Sequence, residues 1–194
     1  MNLALNELTA VNPIDGRYAR HTAPLREILS EYGLIYHRLL VEIRWFQFLS
    51  SQTDIPELPP LNRAQISSLD AILTNFSVDD ALRVKDIEAT TNHDVKAVEY
   101  FLKQKIVGEP ELAPYAEFVH FGCTSEDINN LAYGLMLKQA FRAEIEPAMA
   151  ELINSLRALA KKHAAQPMLS RTHGQIASPT TMGKEIANVV ARLQ

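Results

Sequence analysis

Apolar residues in this chain recur at spacings of three and four over long stretches and almost nowhere alternate one-for-one with polar residues. That period lines one face of an α-helix and leaves little room for a sheet-based core. Seven glycines and ten prolines among 194 residues, with 47% hydrophobic content, supply few turns and enough apolar material for a sizeable core. The expected fold class is therefore all-α, with an N-terminal helical domain over residues 1–119 and the start of a long-helix bundle over 120–194.

A first helix is expected from Pro24 to about Ser50, carrying Leu25, Ile28, Leu29, Tyr32, Ile35, Tyr36, Leu39, Ile43 and Phe46 along a wide buried stripe. Pro24 suits a first-turn position. The segment Ile55-Pro56-Glu57-Leu58-Pro59-Pro60 reads as a linker, because proline removes helix donors and favours extended backbone. Shorter helices follow at about 62–74, 78–88 and 94–107, and Pro110 and Pro114 interrupt the next stretch. After Thr124, whose hydroxyl can cap a first turn with Asp127 three residues on, a long helix is expected to about Ala165. At 1.5 Å per residue that is roughly 60 Å, with a kink or break at Pro147, and such length suggests a bundle shared between subunits. A last helix opens at Ser178-Pro179, read as cap and first-turn proline, and presents Met182, Ile186, Val189, Val190 and Leu193. No stop signal follows it, so the expectation is a truncated chain.

Charge excludes several functions. Lysine and arginine number 19 against 23 acidic residues, giving 19 − 23 = −4, so no global basic field for nucleic acid exists. No apolar run approaches the roughly 20 residues needed to span a bilayer, and the N-terminus, with Glu7 and no basic segment, does not resemble a signal peptide. A cytoplasmic, membrane-free protein is the default. The single cysteine, Cys123, forms no intrachain disulfide and reads as packing.

Four polar segments break the helical background. Pro13-Ile14-Asp15-Gly16-Arg17-Tyr18 makes an Asp-Gly turn and presents a guanidinium beside a phenol, suited to phosphate or carboxylate, or to nothing beyond an ordinary turn. Thr90-Thr91-Asn92-His93-Asp94 precedes a helix, where polar side chains and free N–H groups can hold an anion, though Asn92 or Asp94 as a simple cap with His93 exposed is the plainer reading of the residues. His120-Phe121-Gly122-Cys123-Thr124-Ser125 has the same design, with the same plain alternative. Ser170-Arg171-Thr172-His173-Gly174-Gln175 sets a histidine in a polar loop between helical segments. An unperturbed imidazole titrates at about pH 6.5, so His173 is a candidate acid/base and Arg171 a candidate anion ligand. His93, His120 and His173 lack zinc-site spacing, no phosphate-binding glycine motif is present, and His21, His37 and His163 read as surface or packing residues.

Taken together, PIDGRY at 13–18, TTNHDVKAVEYFL at 90–102, HFGCTSEDINNL at 120–131 and SRTHGQ at 170–175 resemble the fumarase/aspartase superfamily of β-eliminating lyases, and within it the branch acting on adenylosuccinate. The resemblance covers the whole chain, which is less than half the usual length in that family. It implies a fold of the fumarase/aspartase type, no cofactor, no metal, and a homotetramer whose active sites are shared between subunits. It implies small-molecule substrates, adenylosuccinate and SAICAR, in purine biosynthesis. Arg17 and Tyr18 would hold the nucleotide phosphate; Asn92, His93 and Asp94 would line the pocket, with His120 near it; Thr124 and Ser125 would bind the succinyl carboxylates or fumarate. His173 would be the general acid that protonates the departing nitrogen. The family's serine-bearing signature loop has no counterpart here, so no turnover is expected from these residues alone. Two other functions fit less of the pattern: another lyase of the superfamily, such as one acting on argininosuccinate, and a non-catalytic helical interaction module.

Overall fold

The computed structural model describes residues 12–194, and its chain divides into two compact units, the first ending at Ala140 and the second covering Phe141–Gln194. The first unit is helical throughout. A 3₁₀ turn at Ala23–Leu25 leads into α1, Arg26–Leu29, and α2, Glu31–Leu49. The single helix expected from Pro24 to Ser50 is thus broken at Ser30, whose extended backbone (φ −84°, ψ 176°) starts a new helix and whose hydroxyl accepts from the Gly33 N–H. A serine at this position competes for backbone donors and wins an N-cap over helix continuation.

After the proline segment come α3, Arg63–Thr74, α4, Val78–Thr91, and α5, Asp94–Val107. Reciprocal capping boxes specify two of these starts, Asn62 with Gln65 and Ser77 with Asp80. The proline segment is more than a connector, since its Leu58 is fully buried. Around it lie Leu39, Ile43 and Phe46 of α2, Leu69 of α3, Phe101, Leu102 and Ile106 of α5 and Leu112. Phe76 fills a corner of the same core, 5.4 Å from the ring of Tyr32 and 6.1 Å edge-on from that of Phe101. A six-residue 3₁₀ helix at Ala113–Phe118 absorbs Pro114.

Helix α6, Ser125–Ala140, packs on this unit through Ile128 and Ala132 against Val41 and Val95, and through Met136 and Ala140 against Ile28. The break between compact units therefore falls later than the division at 119/120 drawn from the sequence. Thr124 does not cap α6 through its hydroxyl; instead its N–H donates to the Asp127 carboxylate at 2.8 Å.

The second unit opens with a π-helical turn, Phe141–Ile145, and continues as α7, Glu146–Lys162. The expected irregularity near Pro147 takes this form: proline has no N–H and its ring crowds the carbonyl four residues earlier, which a widened turn accommodates. Next is a two-stranded antiparallel hairpin, β1, Pro167–Thr172, paired with β2, Gln175–Thr181. It replaces the expected polar loop and is the one departure from an all-helical fold among the described residues. The strands pair Thr172 with Gln175 and Leu169 with Pro179, with a bulge in β2, where Ala177 and Ser178 oppose Ser170. Pro179 is consequently a strand residue beside that bulge, not the first-turn proline of a helix. The final helix, α8, Met182–Leu193, starts later than expected and is capped by the Thr181 hydroxyl, which accepts from Lys184 N–H. Gly183 lets α8 approach α7 closely, because a Cβ there would overlap the Ala160 carbonyl and the Ala164 backbone.

No helix among the described residues is long and apolar enough to cross a membrane.

Candidate functional site

Helix α2 presents Arg38, Glu42 and Trp45 at intervals of four and three, hence on one face, and each reaches a segment near the polar loops. Arg38 is almost fully buried; its Nη2 donates to Asp94 Oδ2 at 2.6 Å and its Nε to Asn129 Oδ1 at 2.9 Å. One guanidinium thereby ties the start of α5 to the first turns of α6. Glu42 is completely buried, with Oε1 2.6 Å from Nδ1 of His120. Trp45 Nε1 donates to the Phe121 carbonyl at 2.8 Å.

The 90s loop reaches the 120s loop directly. Asn92 closes α4 in the left-handed conformation, and His93, not Asn92 or Asp94, is the N-cap of α5. His93 Nδ1 accepts from the Lys96 N–H at 3.2 Å, so the ring proton of the neutral side chain resides on Nε2. That Nε2 lies 3.4 Å from Ser125 Oγ at the start of α6. Residues 92–94 and 124–125, chosen from sequence as separate loops, form one surface.

Charge within this surface is uneven. Burial would lift the Asp94 carboxyl, but the Val95 N–H and the Arg38 guanidinium outweigh it and hold Asp94 below the usual carboxylate range. Glu42 goes the other way: burial pushes its carboxyl up, the His120 contact opposes the rise, and Glu99 on α5 adds to it. Its second oxygen, Oε2, is buried without a hydrogen-bond partner. Burial, with Glu42 and Asp127 nearby, pushes the Cys123 thiol up to about 11, which removes it as a nucleophile at neutral pH and agrees with its reading as packing.

Among the described residues, three combine a side chain with a positive φ: Asn92 at 51°, His120 at 64° and His173 at 52°. All three belong to the residues singled out from sequence. Left-handed backbone is strained for residues with a Cβ, and such outliers gather at sites where a side chain must be aimed.

The remaining candidates stand apart. Arg17 Nη2 donates to the hydroxyl of Tyr18 at 2.8 Å, and its guanidinium carbon lies 4.7 Å from the Tyr18 ring centre. No hydrogen bond or ion pair among the described residues joins this pair to residues 92–94 or 120–125. His173 and Gly174 are the two central residues of the hairpin turn, both with positive φ (52° and 76°), as a tight two-residue connection requires. His173 and Arg171 are exposed in the second unit.

Arg38 and Glu42 are the residues that sequence reasoning passed over. Their signal was present as two charges set beside Ile35, Leu39, Ile43 and Phe46 on a helix whose surroundings are apolar. Buried charges of this kind call for partners. His37, read as surface or packing, is a buried example: its Nδ1 lies 2.7 Å from the Gly33 carbonyl and its Nε2 2.9 Å from Gln139 Oε1.

A family model described as "Lyase" matches residues 16–194, and the chain belongs to that lyase family, the fumarase/aspartase superfamily. Its curated relatives include adenylosuccinate lyases: that of Vibrio cholerae serotype O1 is 54% identical over 192 residues, covering 99% of this chain and 42% of that protein. The adenylosuccinate lyase of Escherichia coli strain K12 is 53% identical over the same share of each. The chain thus spans 42% of the length of these relatives. Among solved structures, the 3-carboxy-cis,cis-muconate lactonizing enzyme from Pseudomonas putida matches with a TM-score of 0.68 at 24% identity, covering 88% of this chain and 37% of that one. The fumarate lyase from Mesorhizobium sp. BNC1 matches with the same TM-score and coverage at 22% identity. At that identity the structural matches speak for the helical fold alone.

Proposed function

We propose that this chain is part of an adenylosuccinate lyase, which eliminates fumarate from adenylosuccinate to leave AMP, and from SAICAR to leave AICAR, in purine nucleotide biosynthesis. The observation that carries the assignment is the approach of His93 Nε2 to Ser125 Oγ, at 3.4 Å, which merges two separately chosen anion-binding loops into one surface. The names of the curated relatives point the same way.

In such an elimination a base removes a proton from Cβ of the succinyl group, negative charge spreads into the adjoining carboxylate, and the C–N bond breaks. Thr124 and Ser125, at the start of α6, offer hydroxyls and first-turn N–H groups to that carboxylate. Asn92, His93 and Asp94 contribute to the pocket from the 90s loop, where His93 meets Ser125, and His120 contributes from the loop before α6. Arg17 provides a fork of donors for the nucleotide phosphate, and Tyr18 holds that fork in place. His173 protonates the departing nitrogen, since an unprotonated nitrogen is a poor leaving group. Neither a metal nor a cofactor is part of this scheme. The apolar side chains that α6 and α7 expose, Leu131, Leu137, Leu152 and Leu159 among them, support assembly into a homotetramer with shared sites, and the chemistry fits the cytoplasm.

The test is ultraviolet measurement of fumarate release, paired with thermal shift in AMP. The 194 residues alone are expected to show no turnover but to melt higher with AMP, because a ligand that binds the folded state raises its stability. A polypeptide of the relatives' length that contains them is expected to release fumarate, with AMP competing against substrate. If that longer polypeptide released no fumarate and AMP moved no melting temperature, the assignment would fall and a helical interaction module would take its place.

A further inference from the structure

His93 lies at the shared surface and His120 opens the loop that leads to Ser125; the protein grips each by Nδ1, but with groups of opposite character. At His93 the gripping group is a donor, the Lys96 N–H, so Nδ1 must be bare and the proton sits on Nε2. At His120 the gripping group is a carboxyl oxygen, Glu42 Oε1, at 2.6 Å. A carboxylate accepts, so it draws the ring proton to Nδ1 and leaves Nε2 bare. Nε2 of His120 has no protein partner among the described residues.

Burial and Glu99 act against charge on Glu42, and the His120 contact is what opposes them and keeps the group a carboxylate. Glu42 Oε2 has no partner, so the His120 ring is the group that compensates the buried carboxyl. The ionisable groups facing it are His120 and Cys123 from the loop and Glu99 from α5, whose own carboxylate is engaged by Lys96 and Lys103. The ring itself is held in a left-handed residue, and the next residue's carbonyl is fixed by Trp45. Backbone and Nδ1 are thus both held.

We propose that Glu42 is a positioning residue that locks His120 in the tautomer protonated on Nδ1, opposite to His93, so that the two loops present one acceptor nitrogen and one donor nitrogen to the same ligand. This rests on the assignment of residues 92–94 and 120–125 to one substrate surface. Its consequence is directional recognition: His93 points a donor at a carboxylate or carbonyl oxygen, while His120 accepts from a hydroxyl or amino group, a pairing suited to a substrate carrying both.

The test is a long-range ¹H–¹⁵N correlation spectrum of the imidazoles in the 194-residue chain, with His93 and His120 assigned by single substitution to Gln. Above the imidazole titration range, His120 is expected to show its proton on Nδ1 and His93 on Nε2. Glu42→Gln keeps a carbonyl acceptor and is expected to preserve the His120 pattern; Glu42→Leu is expected to return His120 to the Nε2-protonated tautomer that free imidazole side chains favour, with His93 unchanged. A wild-type His120 protonated on Nε2 would overturn the proposal, even if the leucine variant did not fold. So would a folded leucine variant that kept its proton on Nδ1. Because the spectrum requires no substrate, its outcome is separate from the fumarate assay, which alone decides the lyase assignment.

Discussion

The 90s and 120s loops and the His173 hairpin all carry candidate site residues, but they are held in different ways. The two loops are fastened from behind by charged and polar groups of a core helix: Arg38 on Asp94 and Asn129, Glu42 on His120, Trp45 on the Phe121 carbonyl. The hairpin has no such backing within its unit. Its strands are largely exposed, a bulge interrupts their ladder, and His173 occupies the turn itself. The difference separates two tasks. Under the proposed roles, groups that bind would need the fixed spacing a core helix supplies, and a group that delivers a proton would need the exposure a turn supplies.

The sharpest way to probe that division is His173→Gln, assayed in a polypeptide of the relatives' length. It is expected to lower fumarate release by roughly 10² to 10⁴-fold, the usual contribution of a general acid, while leaving the melting temperature unchanged. A loss of stability with activity intact would show the hairpin histidine to be structural.

Next in size is Arg38→Leu, which strands Asp94 and Asn129 together. Breaking a buried pair costs about 3–5 kcal/mol and an exposed one about 0–1, and Asp94 is 46% exposed, so about 1–3 kcal/mol is expected from chemical denaturation. The loss should be accompanied by weaker AMP binding, since both loops depend on this side chain.

Gly174→Ala asks how much the hairpin depends on its turn. A Cβ at φ 76° meets no neighbour but strains the backbone by roughly 1–2 kcal/mol, so a modest drop in melting temperature is expected, confined to the second unit. Hydrogen exchange would locate it.

The smallest effect concerns pH. Asp94 titrates lower in the folded protein than in the unfolded chain, so the unfolded state binds more protons in that window. Its contribution is complete above the ordinary carboxylate value of 3.8 and is lost as pH falls through the lowered one. Glu42 has the opposite sign: its raised carboxyl favours the folded state at low pH, and that contribution declines as pH rises from the ordinary value of 4.5 toward the raised one. Asp94→Asn should therefore flatten the acid-side fall in melting temperature, and Glu42→Gln should steepen it. Identical acid-side curves for the two variants would contradict the assigned environments.

Much of the first unit was legible from sequence, because its signals are local. Asn62 and Ser77 announce their helices, and α5 begins and ends where the pattern places it, at residues 94 and 107. What escaped depends on partners far along the chain. Arg38 and Glu42 look like ordinary charges on a helix until residues 94, 129 and 120 fold back against them. The hairpin escaped for another reason: Ser170, Arg171 and Thr172 bury neither face, so no alternation of apolar and polar residues marks the strand. The break at Ser30 shows a local cap prevailing over an apolar stripe that runs straight across it.

Asn92, His120 and His173 share left-handed backbone, and this sets two selective pressures against each other. A glycine at any of the three would relax the chain locally and make the folded protein easier to reach, yet it would remove a side chain that the proposed site uses. Variants chosen only for thermal endurance should therefore drift toward glycine at these positions and lose function as they do so. Where such drift is absent, a role for the side chain beyond the fold, as the proposed site gives it, would account for it.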